Sequence, residues 1–225
     1  MTFYEFPCND RYMKHSLQSS RPFMSLLPMI VLSLPITGFL VHGDSPSAQV
    51  GREGIFWILT LLLFAYVRFI ERRPMSSIGL RRPDWKTVLL GVVGALAMVA
   101  GMAAIYMVIF PALGLSTDEA TIGAVRSTPL WFRVALILRA AVFEEILYRG
   151  FMIERLTELM RVRWLAALIS VTAFTLAHLG GWAWPHLMIA GFGGIVLTAL
   201  YLYRRDLVSN MTAHFLTDAV GFLLG

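Results

Sequence analysis

Cysteine occurs once in the 225 residues, as Cys8, so an intramolecular disulfide is impossible and no covalent staple holds the fold. Charge is also scarce. Asp, Glu, Lys and Arg make up 15% of the chain, against roughly 25% in an average soluble domain. So little polar side chain excludes an ordinary water-soluble domain. Internal repeats, low-complexity tracts and flexible linkers are missing too, which leaves one domain. What the chain has in quantity is apolar: 57% of its residues are hydrophobic.

The apolar residues fall into blocks of about 17 to 25, the length needed to cross a hydrocarbon core of ~30 Å at 1.5 Å per residue. About seven spans are predicted, at Pro22–Val41, Gly54–Ile70, Thr87–Phe110, Pro129–Arg149, Trp164–His178, His186–Tyr203 and Leu207–Leu224. The fold class is therefore an all-α polytopic transmembrane bundle. Residues 1–21 are polar and mixed in charge, unlike a secretory signal, so the first block reads as a retained helix following a cytoplasmic segment. Cleavage near Ser47 and Ala48 is the competing reading.

The net charge of +5 does not point to nucleic acid, because the basic residues sit in short loops beside the apolar blocks. The stretch from Glu71 to Lys86 holds Arg72, Arg73, Arg81 and Arg82 against only Glu71 and Asp84, and so is expected in the cytoplasm. Counting from it puts the N-terminus inside, Asp118 and Glu119 outside, Arg155 to Arg163 inside, Gly180–Pro185 outside and Arg204–Arg205 inside. Gly91/Ala95 and Ala97/Gly101 place small residues one turn apart, a pattern that lets helices approach closely in lipid. His15 and His42 lie outside the spans.

An ionisable side chain at mid-bilayer costs at least about 2.5–3.5 kcal/mol, so each one retained there needs a reason. Phe143-Glu144-Glu145-Ile146-Leu147-Tyr148-Arg149 puts two carboxylates inside a helix, with an arginine four residues after the second. Glu145 can pair with Arg149 along one face, while Glu144, about 100° away, is left free for chemistry. His178 follows Phe174 by one turn in another apolar block, and His214 shares a face with Asp218 in the last. Alone, each has a bland explanation: rim solvation for the carboxylates, simple packing for His178, mutual satisfaction for His214 and Asp218. Two carboxylates and two histidines on three apolar helices can converge only in the bundle interior, where they would make a water-activating site.

Depth constrains that convergence, since Glu144 lies close to Arg149 whereas His178 lies roughly 21 Å along its helix from Trp164. The side chains meet if the fourth helix continues through the amphipathic stretch Phe151–Met160 with Arg149 neutralised by Glu145. Gly191, Gly193 and Gly194 lie inside an apolar block with no following Lys-Ser/Thr, so they are packing residues and not a phosphate loop. Trp182, Trp184 and His186 frame an outer loop at the interface.

The three pieces Glu144-Glu145-x-x-x-Arg149, Phe174-x-x-x-His178 and His214-x-x-x-Asp218 resemble, in order, the motifs of the CAAX protease and bacteriocin-processing family, which includes type II CAAX prenyl endopeptidases. The resemblance covers about residues 129–224. It implies an intramembrane endopeptidase in which Glu144 and His178 activate a water while His214 and Asp218 stabilise the oxyanion. Glu145, Arg149 and Phe174 would support them. The family's last position is often asparagine; with Asp218 there, an ionised carboxylate would repel an oxyanion, so it must be protonated or act through His214.

No cofactor is required in this reading, although Glu144, His178 and His214 form a set that zinc would accept. The partners expected are a peptide or protein substrate at the membrane and the lipid bilayer, with no nucleic acid. The location expected is a bacterial inner membrane, with peptide maturation or bacteriocin immunity as roles. The alternatives from other classes are a small transporter or proton relay, and a non-catalytic scaffold whose polar cluster fixes helix register.

Overall fold

The structure, a computed structural model, describes residues 22–34, 40–41, 45–179 and 181–224. The predicted cytoplasmic segment 1–21 with His15, residues 35–39 of the predicted first span, and His42 lie outside the described residues. The described residues are almost all helical: α1 (Leu26–Ser33), α2 (Pro46–Ala65), α3 (Trp85–Ala104), α4 (Glu119–Arg126), α5 (Leu130–Glu144), α6 (Ile153–Met160), α7 (Arg163–Ala177), α8 (His186–Arg204) and α9 (Leu207–Ala219). Wide π-helical turns extend α2 to Ile70, α3 through Ile109 and α9 to Leu224, and a longer one, Glu145–Met152, joins α5 to α6.

Among the described residues, four helices are long and apolar enough to cross a membrane: Ser47–Ile70, Trp85–Ala112, His186–Arg204 and Leu207–Leu224. The predicted count of about seven is not reached on length and composition. Arg163–Ala177 is a shorter apolar helix, α1 is only eight residues within the described segment, and the run from Leu130 to Met160 carries charge along its length. Large apolar side chains such as Leu61, Phe69, Leu96, Met107, Leu168 and Ile195 point outward and are more than half exposed. A row of that kind suits lipid, where every backbone polar group is satisfied within the helices.

The chain passes to and fro between two ends that its polar contacts define. At one end the segments 71–86, 154–163 and 204–206 are tied together: Arg155 donates to Glu71, Arg205 to Glu154, and Arg204 to both oxygens of Asp84. Asp84 also caps α3 through the Thr87 backbone N–H, and that bond, followed by Arg204, holds its carboxyl down to about 2. At the other end Asp118 caps α4 and accepts from the Ala183 backbone, while Arg126 and Arg133 donate to the carbonyls of Gly221 and Phe222. Exposed Trp85, Trp164 and Tyr203 mark the first end; Trp131 and Trp184 mark the second.

The fourth predicted helix does continue past Arg149, as the depth constraint required, because the π turn carries it into α6. Gly79, with φ +77°, turns the 75–79 segment beneath that π turn; a Cβ on Gly150 would lie 2.7 Å from the Ile78 carbonyl. The Gly79 carbonyl accepts from Leu207 N–H at 3.0 Å, so α9 starts at the level of Gly150 and not at the tip of α6. Measured from the Met160–Arg163 turn, Glu144 and His178 both then lie roughly 22–24 Å up their helices. The stagger of α9 brings His214 to a similar level.

α9 packs on α3 across the small face of the latter, where a Cβ on Gly91 would meet Thr212 and one on Gly94 would meet Ala213. Ala95 is buried in that face; Ala97 is exposed, so of the two predicted small pairs only Gly91/Ala95 lies in the contact, and Gly101 is close-packed against the Phe192 ring of α8 instead.

Candidate active site

Glu144 is the last residue of α5 before the helix widens, and the eight residues of the π turn that follows are all buried. Widening leaves backbone carbonyls without their usual partners, and Ser170 supplies one, donating to the Tyr148 carbonyl at 2.6 Å. Within this turn Glu145 and Arg149 pair at 2.8 Å, both fully buried. Glu145 accepts two further hydrogen bonds, from His214 Nδ1 at 2.9 Å and Asn210 Nδ2 at 3.0 Å. Arg149 lies 4.1 Å over the Phe174 ring and donates to the Gly194 carbonyl at 3.3 Å. Gly194 permits that approach: a Cβ there would be 3.0 Å from Phe174.

Glu145, Arg149 and Phe174 thus form a floor on which both histidines stand. Phe174 has its ring centre 4.8 Å from that of His178 and 6.4 Å from that of His214. His178 caps α7, and its Nδ1 donates to the Phe174 carbonyl at 2.9 Å, which can only accept. The neutral ring therefore carries its lone pair on Nε2. His214 Nδ1 is committed to the Glu145 carboxylate. Its Nε2 lies 3.6 Å from Asp218 Oδ2, beyond a hydrogen bond but close enough for a charge on either to be felt by the other.

Glu144, His178, His214 and Asp218 all line one cavity of about 680 Å³, with Arg139 and Phe174 beside them. Glu144 was expected to be free of partners; instead its Oε1 lies 3.4 Å from Arg139 Nη1. Mutual satisfaction of His214 and Asp218 was one reading of their spacing; the hydrogen bond of His214 goes instead to Glu145 on a different helix. Both differences have one cause: helical spacing reports neighbours along a helix, and these partners come from elsewhere or from five residues away, across the end of the α-helical turns.

Sequence reasoning also missed Arg139, its partner Glu53, Asn210 and His186. Arg139 is an ionisable group inside the predicted Pro129–Arg149 block, the same signal that exposed Glu144, whereas Glu53 lies just before the predicted Gly54–Ile70 span and carries no such signal. Asn210, one turn before His214 and fully buried, is a polar amide on the same helix face. His186 lines the cavity while stacking on Trp182, with ring centres 4.0 Å apart, so the interfacial frame predicted for that loop is also a cavity wall.

A catalytic zinc needs three protein ligands converging on one point. Among the described residues no group of three His, Cys, Asp or Glu is so arranged, and the Nδ1 atoms of both histidines are already engaged.

Residues 126–220 match the family model described as type II CAAX prenyl endopeptidase Rce1-like. The match contains Glu144, His178, His214 and Asp218 with their supporting residues; α1, α2 and α3 lie outside it. No curated protein and no solved structure matches the chain.

Proposed function

Taking residues 126–220 as a module of the CAAX-protease family in an integral membrane protein, we propose that the chain is an intramembrane endopeptidase working through a water activated by Glu144. The observation that carries this reading is the convergence of Glu144, His178, His214 and Asp218, from three helices, on one cavity. Buried charges confined to fixing helix register would have no need of a cavity able to hold a peptide segment.

In this scheme Glu144 takes a proton from a water whose other hydrogen is held by His178 Nε2. The water oxygen attacks the peptide carbonyl carbon. The oxyanion that forms accepts a hydrogen bond from Nε2–H of His214, whose Nδ1–H is held by Glu145. As the intermediate collapses, the C–N bond breaks and the proton on Glu144 passes to the leaving nitrogen. Asp218 acts indirectly, with its carboxylate 3.6 Å from that Nε2, and the step uses the imidazole with both ring nitrogens protonated. No step runs through a metal.

The substrate in this reading is a peptide or protein segment at the membrane; the basic loops 71–86, 154–163 and 204–206 support a cytoplasmic N-terminus, and a bacterial inner membrane is the proposed location. Peptide maturation and bacteriocin immunity are the roles this fits. Mass-spectrometric comparison of membrane peptides from cells carrying wild type and Glu144→Gln tests the reading. New peptide termini present with wild type and lost in the variant are expected; identical peptide sets would refute it.

A further inference from the structure

The cavity has a direction. Besides the site residues, its lining includes Thr117, Glu119, Gly181, Trp182, Gly221 and Phe222, which belong to the end where α4, the 181–185 loop and the C-terminal turn meet. Among the described residues, none from 71–86, 154–163 or 204–206 lines it. That opposite end is closed by the ion pairs Arg155–Glu71, Arg205–Glu154 and Arg204–Asp84 and by the Gly79 segment packed under Gly150.

The two ends also differ in charge. Arg72, Arg73, Arg81, Arg82, Arg161 and Arg163 crowd the closed end in short loops. At the open end Arg126 and Arg133 are engaged by the carbonyls of Gly221 and Phe222, and Asp118 and Glu119 lie at the same end. Short loops rich in Lys and Arg stay on the cytoplasmic side.

We infer that the active-site cavity opens to the non-cytoplasmic face, and that its substrates are apolar polypeptide segments presented there: exported peptides or the outer ends of membrane spans. The inference rests on the peptidase reading for the word substrate, but not for the direction of the opening. The wall that α3 supplies fits an apolar segment of variable sequence, since Met98 and Met102 line it and methionine side chains re-pack around different shapes. A cytoplasmic protein tail would have no route to Glu144 except through the ion-paired end.

The direction is tested in a Cys8→Ser background with single cysteines at Gly181 and Ser116, beside the opening, and at Ser76 and Arg81, at the closed end. Ser116, Ser76, Arg81 and Gly181 are exposed, and a Cβ at Gly181 meets nothing within 4 Å. A membrane-impermeant maleimide applied to intact spheroplasts is expected to label Gly181→Cys and Ser116→Cys fully. Ser76→Cys and Arg81→Cys should react only after permeabilisation. The reverse pattern overturns the inference whatever the enzyme cleaves.

The substrate class is read from the Glu144-dependent termini of the peptide comparison, which should map to exported chains or outer span ends. Termini confined to cytoplasmic segments overturn it. Absence of any such termini removes the peptidase reading and the substrate class with it, while the labelling result still decides the direction.

Discussion

Arg139 donates from Nε and Nη2 to both oxygens of Glu53, at 2.7 and 3.0 Å, and reaches Glu144 only at 3.4 Å. A bidentate pair of this kind is the stronger and more directional contact. The guanidinium, 4.4 Å from the centre of the Phe56 ring, is thereby fixed from α2 and presents its remaining edge to the acid that the proposed chemistry uses.

From this asymmetry the two acids should behave differently on neutralisation. Glu144→Gln leaves Arg139 paired with Glu53, so it is expected to fold with an unchanged thermal midpoint in detergent and to lose turnover. Glu53→Gln leaves a largely buried cation without its bidentate partner and should lower stability by about 3 kcal/mol. Melting curves and peptide cleavage on the same two preparations check both statements; equal midpoint losses would show that Glu144 is structural.

Glu145 and Arg149 should prove structural, since Glu145 is fully buried and accepts from Arg149, His214 and Asn210. Arg149→Ala is expected to cost about 3–5 kcal/mol by leaving that carboxylate short of its cation. Arg149→Lys should recover only part, because an ammonium cannot both reach Glu145 and lie flat over Phe174. Denaturant or thermal unfolding of the three proteins ranks them, and a lysine variant as stable as wild type would remove the role given to the Phe174 contact.

How far such a site could be read from sequence follows from which contacts run along a helix and which run between helices. The Glu145–Arg149 pair, the apolar helices and the motif order are properties of single helices, so period and composition carry them. The continuation of the fourth helix past Arg149 was legible as a geometric requirement, because Glu144 and His178 could not otherwise meet. Arg139 to Glu53, and His214 to Glu145 in place of Asp218, depend on the stagger of α9 and the rotation of α2, which no local pattern encodes. The span count ran ahead of the four long apolar helices because blocks such as Pro129–Arg149 were counted as spans, whereas the helical run Leu130–Met160 carries charge along its length.

Asp218 stands 3.6 Å from His214 Nε2 without a hydrogen bond, so its carboxylate influences the imidazole through charge and not through a fixed contact. Asp218→Asn is therefore expected to fold normally and keep measurable cleavage, the amide replacing the electrostatic support with a hydrogen-bond donor toward the oxyanion. His214→Ala should lose cleavage outright. Turnover measured on both decides the matter; if the two are equally dead, the proton chemistry of Asp218 is itself required.

At the open end, Asp118 holds α4 against the 181–185 loop, accepting from the Ala183 N–H at 2.8 Å and capping α4 through Thr121. The Ala183 and Thr121 backbone N–H groups keep its carboxyl below the ordinary range. A depressed value means the tie is fully present above the unfolded carboxylate range, about pH 4, and is lost as pH falls through the lowered value. Amide exchange across 118–126, corrected for its intrinsic pH dependence, should rise on acidification in wild type. In Asp118→Ala it should be high at every pH; a wild-type profile without acid sensitivity would mean that Ala183 is held by something else.

The last expectation concerns metal. Glu144, His178 and His214 supply enough donor atoms for a catalytic zinc, but Glu144 faces the Arg139 cation and no three ligands converge among the described residues. A zinc brought to this cavity would also compete with Arg139 for the Glu144 carboxylate. Purified protein is therefore expected to keep its cleavage activity after dialysis against a chelator, and added zinc should not increase it. Metal analysis on the same sample completes the test: about one tightly held equivalent of zinc, lost with activity and restored by zinc alone, is the stoichiometry of a catalytic site and would replace the water-activating scheme with one in which those three residues are ligands.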